Sequence, residues 1–98
     1  MTFRFTHCAN VEVVNGDTRA VGGAVTVALC GHWDHAGSCR WPHLTTLEPV
    51  GPLFAVTVAY TCADEERSHV ESLIADAIAS GTLTGPDGKV TDWKVVLT

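Results

Sequence analysis

Residues 3–14 alternate. Phe3, Phe5, His7, Ala9, Val11 and Val13 share one parity, and Arg4, Thr6, Cys8, Asn10 and Glu12 share the other. Successive strand side chains point to opposite faces, so this spacing predicts a half-buried β-strand. Asn15-Gly16-Asp17 is a turn signal. Beyond it, Val21, Val25, Val27 and Leu29 form an apolar parity over residues 21–32. Ala24, Thr26, Ala28, Cys30 and His32 form a smaller, more polar one. That pattern reads as a second strand, joined to the first in an antiparallel hairpin. Such a hairpin would bring Cys8 level with about Cys30 on its polar face.

Residues 33–52 hold Pro42, Pro49 and Pro52 with Gly37 and Gly51, which predicts a long irregular connection. Leu53 to Tyr60 is apolar on both parities and reads as a central strand buried on both faces. Thr61-Cys62-Ala63-Asp64 fits a capping box, with Asp64, Glu65 and Glu66 where a helix dipole favours acids. Val70, Leu73, Ile74, Ala77 and Ile78 then recur at helical spacing through about residue 80, and Gly81 is the natural stop. Gly85-Pro86-Asp87-Gly88 marks a tight turn. Val90 to Leu97 reads as the last strand, with Trp93, Val95 and Leu97 inward.

The expected fold is an α+β domain. A single, mostly antiparallel four-stranded sheet, in the sequence order β-β-loop-β-α-β, carries one helix on one face. One helix leaves the other face uncovered. The 33–52 loop is the first candidate to cover it, and a second copy of the chain, making a homodimer, is the other.

Composition narrows the functional classes. Ninety-eight residues make one domain, 1–98, with a Cys/His-rich loop at 30–52. A hydrophobic share of 46% argues against disorder. The formal charge is −5, and the six basic residues are scattered, which excludes a phosphate-binding surface for nucleic acid. No apolar run reaches the roughly 18–20 residues of a membrane helix. The first residues show no signal-peptide pattern, so the expected setting is cytoplasmic and reducing.

Chemistry concentrates between Cys30 and His43. Cys30, His32, His35, Cys39 and His43 are all metal-ligand types within fourteen residues. His32-x-x-His35 and Cys39-x-x-x-His43 each put two ligands within one short turn, which lowers the entropy cost of forming a site. Mixed sulfur and imidazole ligands suit tetrahedral Zn²⁺, and two thiolates with two imidazoles would leave it neutral. Copper, nickel, cobalt or iron could use the same groups. The preferred set is His32, His35, Cys39 and His43, then Cys30, then Cys8. No zinc-finger, ribbon or RING spacing is present, and neither Cys-x-x-Cys nor His-Glu-x-x-His occurs. The plainer reading is of ordinary loop histidines and buried thiols, or of a disulfide such as Cys30–Cys39.

The expected function is a small metal-binding domain, with zinc as the cofactor, in which the metal orders the long loop over the sheet. The first alternative is a metal-dependent enzyme acting on a small-molecule ligand. There Asp34 would serve a metal-bound water, Trp33 and Trp41 would wall a pocket, and Arg40 would meet a substrate anion. Asp34 as a turn residue, the tryptophans as loop anchors and Arg40 as a solvated cation are the simpler readings. The second alternative is a metal-free protein-interaction or dimerisation module. Outside the segment, His7 reads as a core or sheet-end histidine, His69 as half exposed, and Cys62 as a packed thiol in preference to one activated at a helix start.

Overall fold

The structure, a computed structural model, describes residues 3–30, 41–85 and 87–96. Its strands are β1 (Phe5–Asn15), β2 (His43–Val50), β3 (Leu53–Tyr60), β4 (Thr82–Thr84) and β5 (Val90–Val96). Its helices are α1 (Arg19–Cys30) and α2 (Arg67–Ala79), the latter led in by a 3-10 turn at Asp64–Glu66. Among the described residues the strands make one antiparallel sheet in the order β2-β3-β1-β5-β4. Setting the short β4 aside, this is the split β-α-β-β-α-β plan, with β3 inserted between β1 and β2.

The α+β class stands, but among the described residues two helices and five strands replace one helix and four. The second expected strand is α1. Val21, Val25 and Leu29 are spaced by four, which satisfies both a strand parity and one helical face. The buried set is Val21, Ala24, Val25 and Leu29, so the helical period wins. Ala20, Ala24 and Ala28 favour the helix. Gly22 faces Thr45 of β2, where an added Cβ would sit in ordinary contact, 3.4 Å from Thr45 Cβ. Asp17 starts the helix, its Oδ1 accepting from the Arg19 amide at 2.9 Å and its carbonyl from the Ala20 amide at 3.0 Å. The hydrogen bonds from Arg19 hold the Asp17 carboxyl down at about 2.

The irregular connection shortens too, because β2 occupies His43–Val50 and turns through Gly51 into β3. Pro49 obscured this strand. It is tolerated because β2 is an edge strand. The capping box does not form; neither the 3-10 turn nor α2 has a side-chain cap. Asp64 instead accepts from Arg4 at 2.6 Å, while Arg4 also donates to the Cys62 carbonyl at 3.0 Å.

The core lies on one face of the sheet. Val11, Val56, Val58, Tyr60 and Trp93 pack there with Val21, Val25 and Leu29 of α1 and Val70, Ile74 and Ile78 of α2. Trp93 fixes the end of α2, its indole N–H donating to the Ile78 carbonyl at 2.8 Å and its amide to Gly81 at 2.9 Å. Gly16, at φ 93°, is required where β1 gives way to α1, since a Cβ would meet Thr91 Oγ1 at 2.3 Å. β3 is buried on the helix side alone. Across the sheet, Thr6, Cys8, Glu12, Leu44, Thr46 and Glu48 are exposed; the described part of the expected covering loop is β2, a strand of the sheet itself, and residues 33–40 lie outside the described residues.

One carboxylate joins three elements beneath α2. Glu71 accepts from the Tyr60 hydroxyl through one oxygen and meets His7 Nδ1 at 3.2 Å through the other. Burial pushes the Tyr60 hydroxyl up to about 12, and its bond to Glu71 adds to the shift. For Glu71, burial favours the neutral acid, but hydrogen bonds from Tyr60 and His7 outweigh it and lower its pKa. The signs follow by linkage. The Glu71 contribution is present above its ordinary value of 4.5 and is lost as pH falls through its lowered folded value. The Tyr60 contribution is present below 10.0 and is lost as pH rises through about 12. Tyr60→Phe is expected to cost about 1–3 kcal/mol near neutrality and to remove this alkaline phase. Denaturant titrations of both proteins across the alkaline range check it; identical alkaline profiles would contradict the assignment.

Candidate functional site

Of the five sequence candidates, Cys30 and His43 are described; His32, His35 and Cys39 lie outside the described residues, as do Trp33, Asp34 and Arg40. Both described candidates sit on the helix side of the sheet. The strand reading instead puts Cys30 beside Cys8 on the polar face of a hairpin. That placement assumed a strand at residues 21–32, and with α1 there the alignment of Cys8 with Cys30 disappears. Cys8 is instead exposed on the open face, opposite Thr57 of β3.

His43 begins β2 and is half buried. Its Nδ1 lies 3.1 Å from the Trp41 carbonyl, and its Nε2 lies 3.1 Å from Thr26 Oγ1 of α1. A carbonyl can only accept, so Nδ1 carries a proton. In the neutral ring Nε2 then holds the lone pair and accepts from the Thr26 hydroxyl. A backbone carbonyl on one ring nitrogen is the usual way to fix the tautomer of a metal-binding histidine. Thr26 and Cys30 are four residues apart on α1, and therefore neighbours on one face, a turn apart. The fold thus brings the last residue of α1 and the first of β2 to one corner of the molecule.

Trp41 closes that corner as a core residue. It is 8% exposed and meets the His69 ring edge-on, with centroids 5.8 Å apart. The reading of Trp41 as an anchor is the one its burial supports. His69 itself is exposed. His7 faces the core side, where it is engaged with Glu71, a partner that strand periodicity alone does not reveal.

The sulfurs divide into two kinds. Cys30 is disulfide-bonded, its partner lying outside the described residues. Cys8 and Cys62 are free thiols, the first exposed and the second buried. Burial pushes the Cys62 thiol up, and the nearby Glu66 charge adds to this. Cys62 is therefore not activated by a helix dipole, and it precedes a 3-10 turn in place of the expected helix start.

Among the described residues, no group of three or more His, Cys, Asp or Glu side chains is placed to hold a metal ion. No described helix is long and apolar enough to cross a membrane. The chain matches no protein-family model, and no curated protein or solved structure resembles it. Brief alkylation of the native, non-reduced protein should label Cys8, leave Cys62 unlabelled until unfolding, and leave Cys30 unlabelled until reduction. Peptide mass spectrometry reads the outcome; labelling of Cys30 without reductant would contradict the disulfide.

Proposed function

We propose that this chain is a small metal-binding domain, with Zn²⁺ as the preferred ion. His43 is the anchoring ligand, and the Cys/His segment that precedes it completes the site. The observation that carries this reading is the commitment of His43 Nδ1 to the Trp41 carbonyl, which leaves Nε2 as the coordinating nitrogen. Binding requires Nε2 to exchange the Thr26 hydroxyl for the ion, at the cost of one hydrogen bond worth about 1 kcal/mol. A coordinate bond to zinc exceeds that cost, since structural zinc contributes roughly 10 kcal/mol or more to folding.

The remaining ligands are drawn from His32, His35 and Cys39, joined by Cys30. A disulfide sulfur lacks the thiolate charge that makes cysteine a strong zinc ligand. The disulfide of Cys30 and a metal bond from either of its sulfurs are therefore exclusive, and both Cys30 and the cysteine bonded to it coordinate only in the reduced chain. The bound ion would tie the segment after α1 to the start of β2 and hold the corner that Trp41 packs. Four protein ligands would make this a structural site, and three with a water would open it to catalysis.

The test is the metal content of reduced, untagged protein purified without added metal. About one equivalent of zinc is expected, with a lowered melting temperature on chelation. His43→Ala should reduce the zinc retained while keeping its circular dichroism. A reduced protein that takes up no zinc, copper or nickel, and whose melting is indifferent to chelator, would contradict the proposal.

A further inference from the structure

A cleft of about 680 Å³ opens between the amino-terminal end of α1 and the β4–β5 hairpin. It is separate from the proposed metal corner: His43 contacts Thr26, whereas the cleft is bordered by Arg19 and Ala20, about two helical turns earlier. Its size falls within the roughly 300–1,000 Å³ of small-ligand sites.

The lining has a consistent logic. Leu83 of β4 pairs directly with Thr91 of β5, so their side chains share a face of the sheet. Lys89 precedes Thr91 by two residues along the same extended segment and shares its parity. Leu83, with Ala20 of α1, supplies an apolar wall. Thr91 is 4% exposed; its Oγ1 accepts from the Asp17 amide at 2.9 Å, while its own hydroxyl proton has no acceptor among the described residues. The hydroxyl proton at the edge of this cleft is therefore available to an acceptor from outside.

Charge selects that acceptor. Asp17 and Arg19 neutralise one another through paired contacts at 2.7 and 3.0 Å. Asp87 accepts the Lys89 backbone amide at 3.0 Å and is exposed to water. Among the described residues the Lys89 ammonium is in no ion pair. Beside the apolar wall, the groups in no ion pair among the described residues are thus the Lys89 ammonium and the solvent-facing Asp87 carboxylate, with the Thr91 hydroxyl as the buried donor.

We propose that this cleft binds a small monocarboxylate with an apolar body. The carboxylate accepts from the Lys89 ammonium and the Thr91 hydroxyl, and the body rests on Leu83 and Ala20. Arg19 stays with Asp17 and keeps that carboxylate from repelling the ligand.

The probe is benzoate, titrated into ¹⁵N-labelled protein while amide shifts are followed, with benzyl alcohol as the uncharged control. Saturable shifts are expected at Gly16, Ala20, Leu83 and Thr91, with benzyl alcohol binding more weakly. Lys89 is exposed, so Lys89→Met should keep the native spectrum and weaken benzoate by about three- to fivefold, the worth of an exposed ion pair. Added salt should weaken benzoate and leave benzyl alcohol unchanged. Shifts scattered over the surface without saturation, or equal benzoate affinity in Lys89→Met, would overturn the proposal.

Discussion

Both helices must bury their apolar stripes on the same face of one sheet, and the remaining architecture follows from that shared layer. β1 runs through the middle of the sheet, and its odd-numbered positions from Phe5 to Val13 face the layer until a register shift before Asn15 ends the alternation. Valine dominates the contact, at Val11, Val56 and Val58 from the strands and at Val21, Val25 and Val70 from the helices. Each such side chain, fully buried, contributes about 1.5–3 kcal/mol. Polar side chains in the layer differ in how they are satisfied: Thr45 Oγ1 is buried with no hydrogen-bond partner among the described residues, whereas Tyr60 has one. Tyr60, fully buried, survives there because Glu71 takes its hydroxyl proton in a hydrogen bond, and Glu71 in turn ties α2 to β1 through His7.

The same layer positions the candidate metal corner. Because α1 packs on the helix side of β2, its last turn and the first residue of β2 converge, and Thr26 reaches the His43 ring. Trp41, buried just before β2, supplies the carbonyl that sets the tautomer of that ring. A core residue thus presents the backbone group that prepares the candidate ligand. At the other end of α1, Gly16 admits Thr91 to the turn, and the Thr91 hydroxyl in turn holds the Asp17 amide. The two ends of α1 thus border the candidate metal corner and the cleft lined by Lys89.

Much of this was legible in the residues. Alternation located β1 and β5 within two residues of their observed bounds, and the 3.6-residue spacing of Val70, Ile74 and Ile78 located α2. The failures have physical causes. Four-residue spacing of valines fits either period, and β-branched side chains tilted the reading of residues 21–32 towards strand. Pro49 hid an edge strand in which a missing amide costs nothing. The helix-entry carboxylate of Asp64 was diverted to Arg4, a residue sixty positions away, which no local motif anticipates. Of the five candidate ligands, Cys30 and His43 are described, and both lie on the helix side of the sheet, where the strand reading of residues 21–32 does not put Cys30. The pairing of His43 with Trp41 and Thr26 depends on tertiary packing of α1 that the strand reading excluded.

The central claim is that the fold prepares His43 Nε2 for a metal ion by protonating Nδ1. Long-range ¹H–¹⁵N spectroscopy of the imidazole nitrogens, in reduced protein before and after addition of one zinc equivalent, reads this directly. A proton on Nδ1 of His43 is expected in the metal-free protein, with a zinc-induced change in the Nε2 resonance while Nδ1 stays protonated. A proton found on Nε2, or an Nε2 resonance unmoved by zinc, would contradict it.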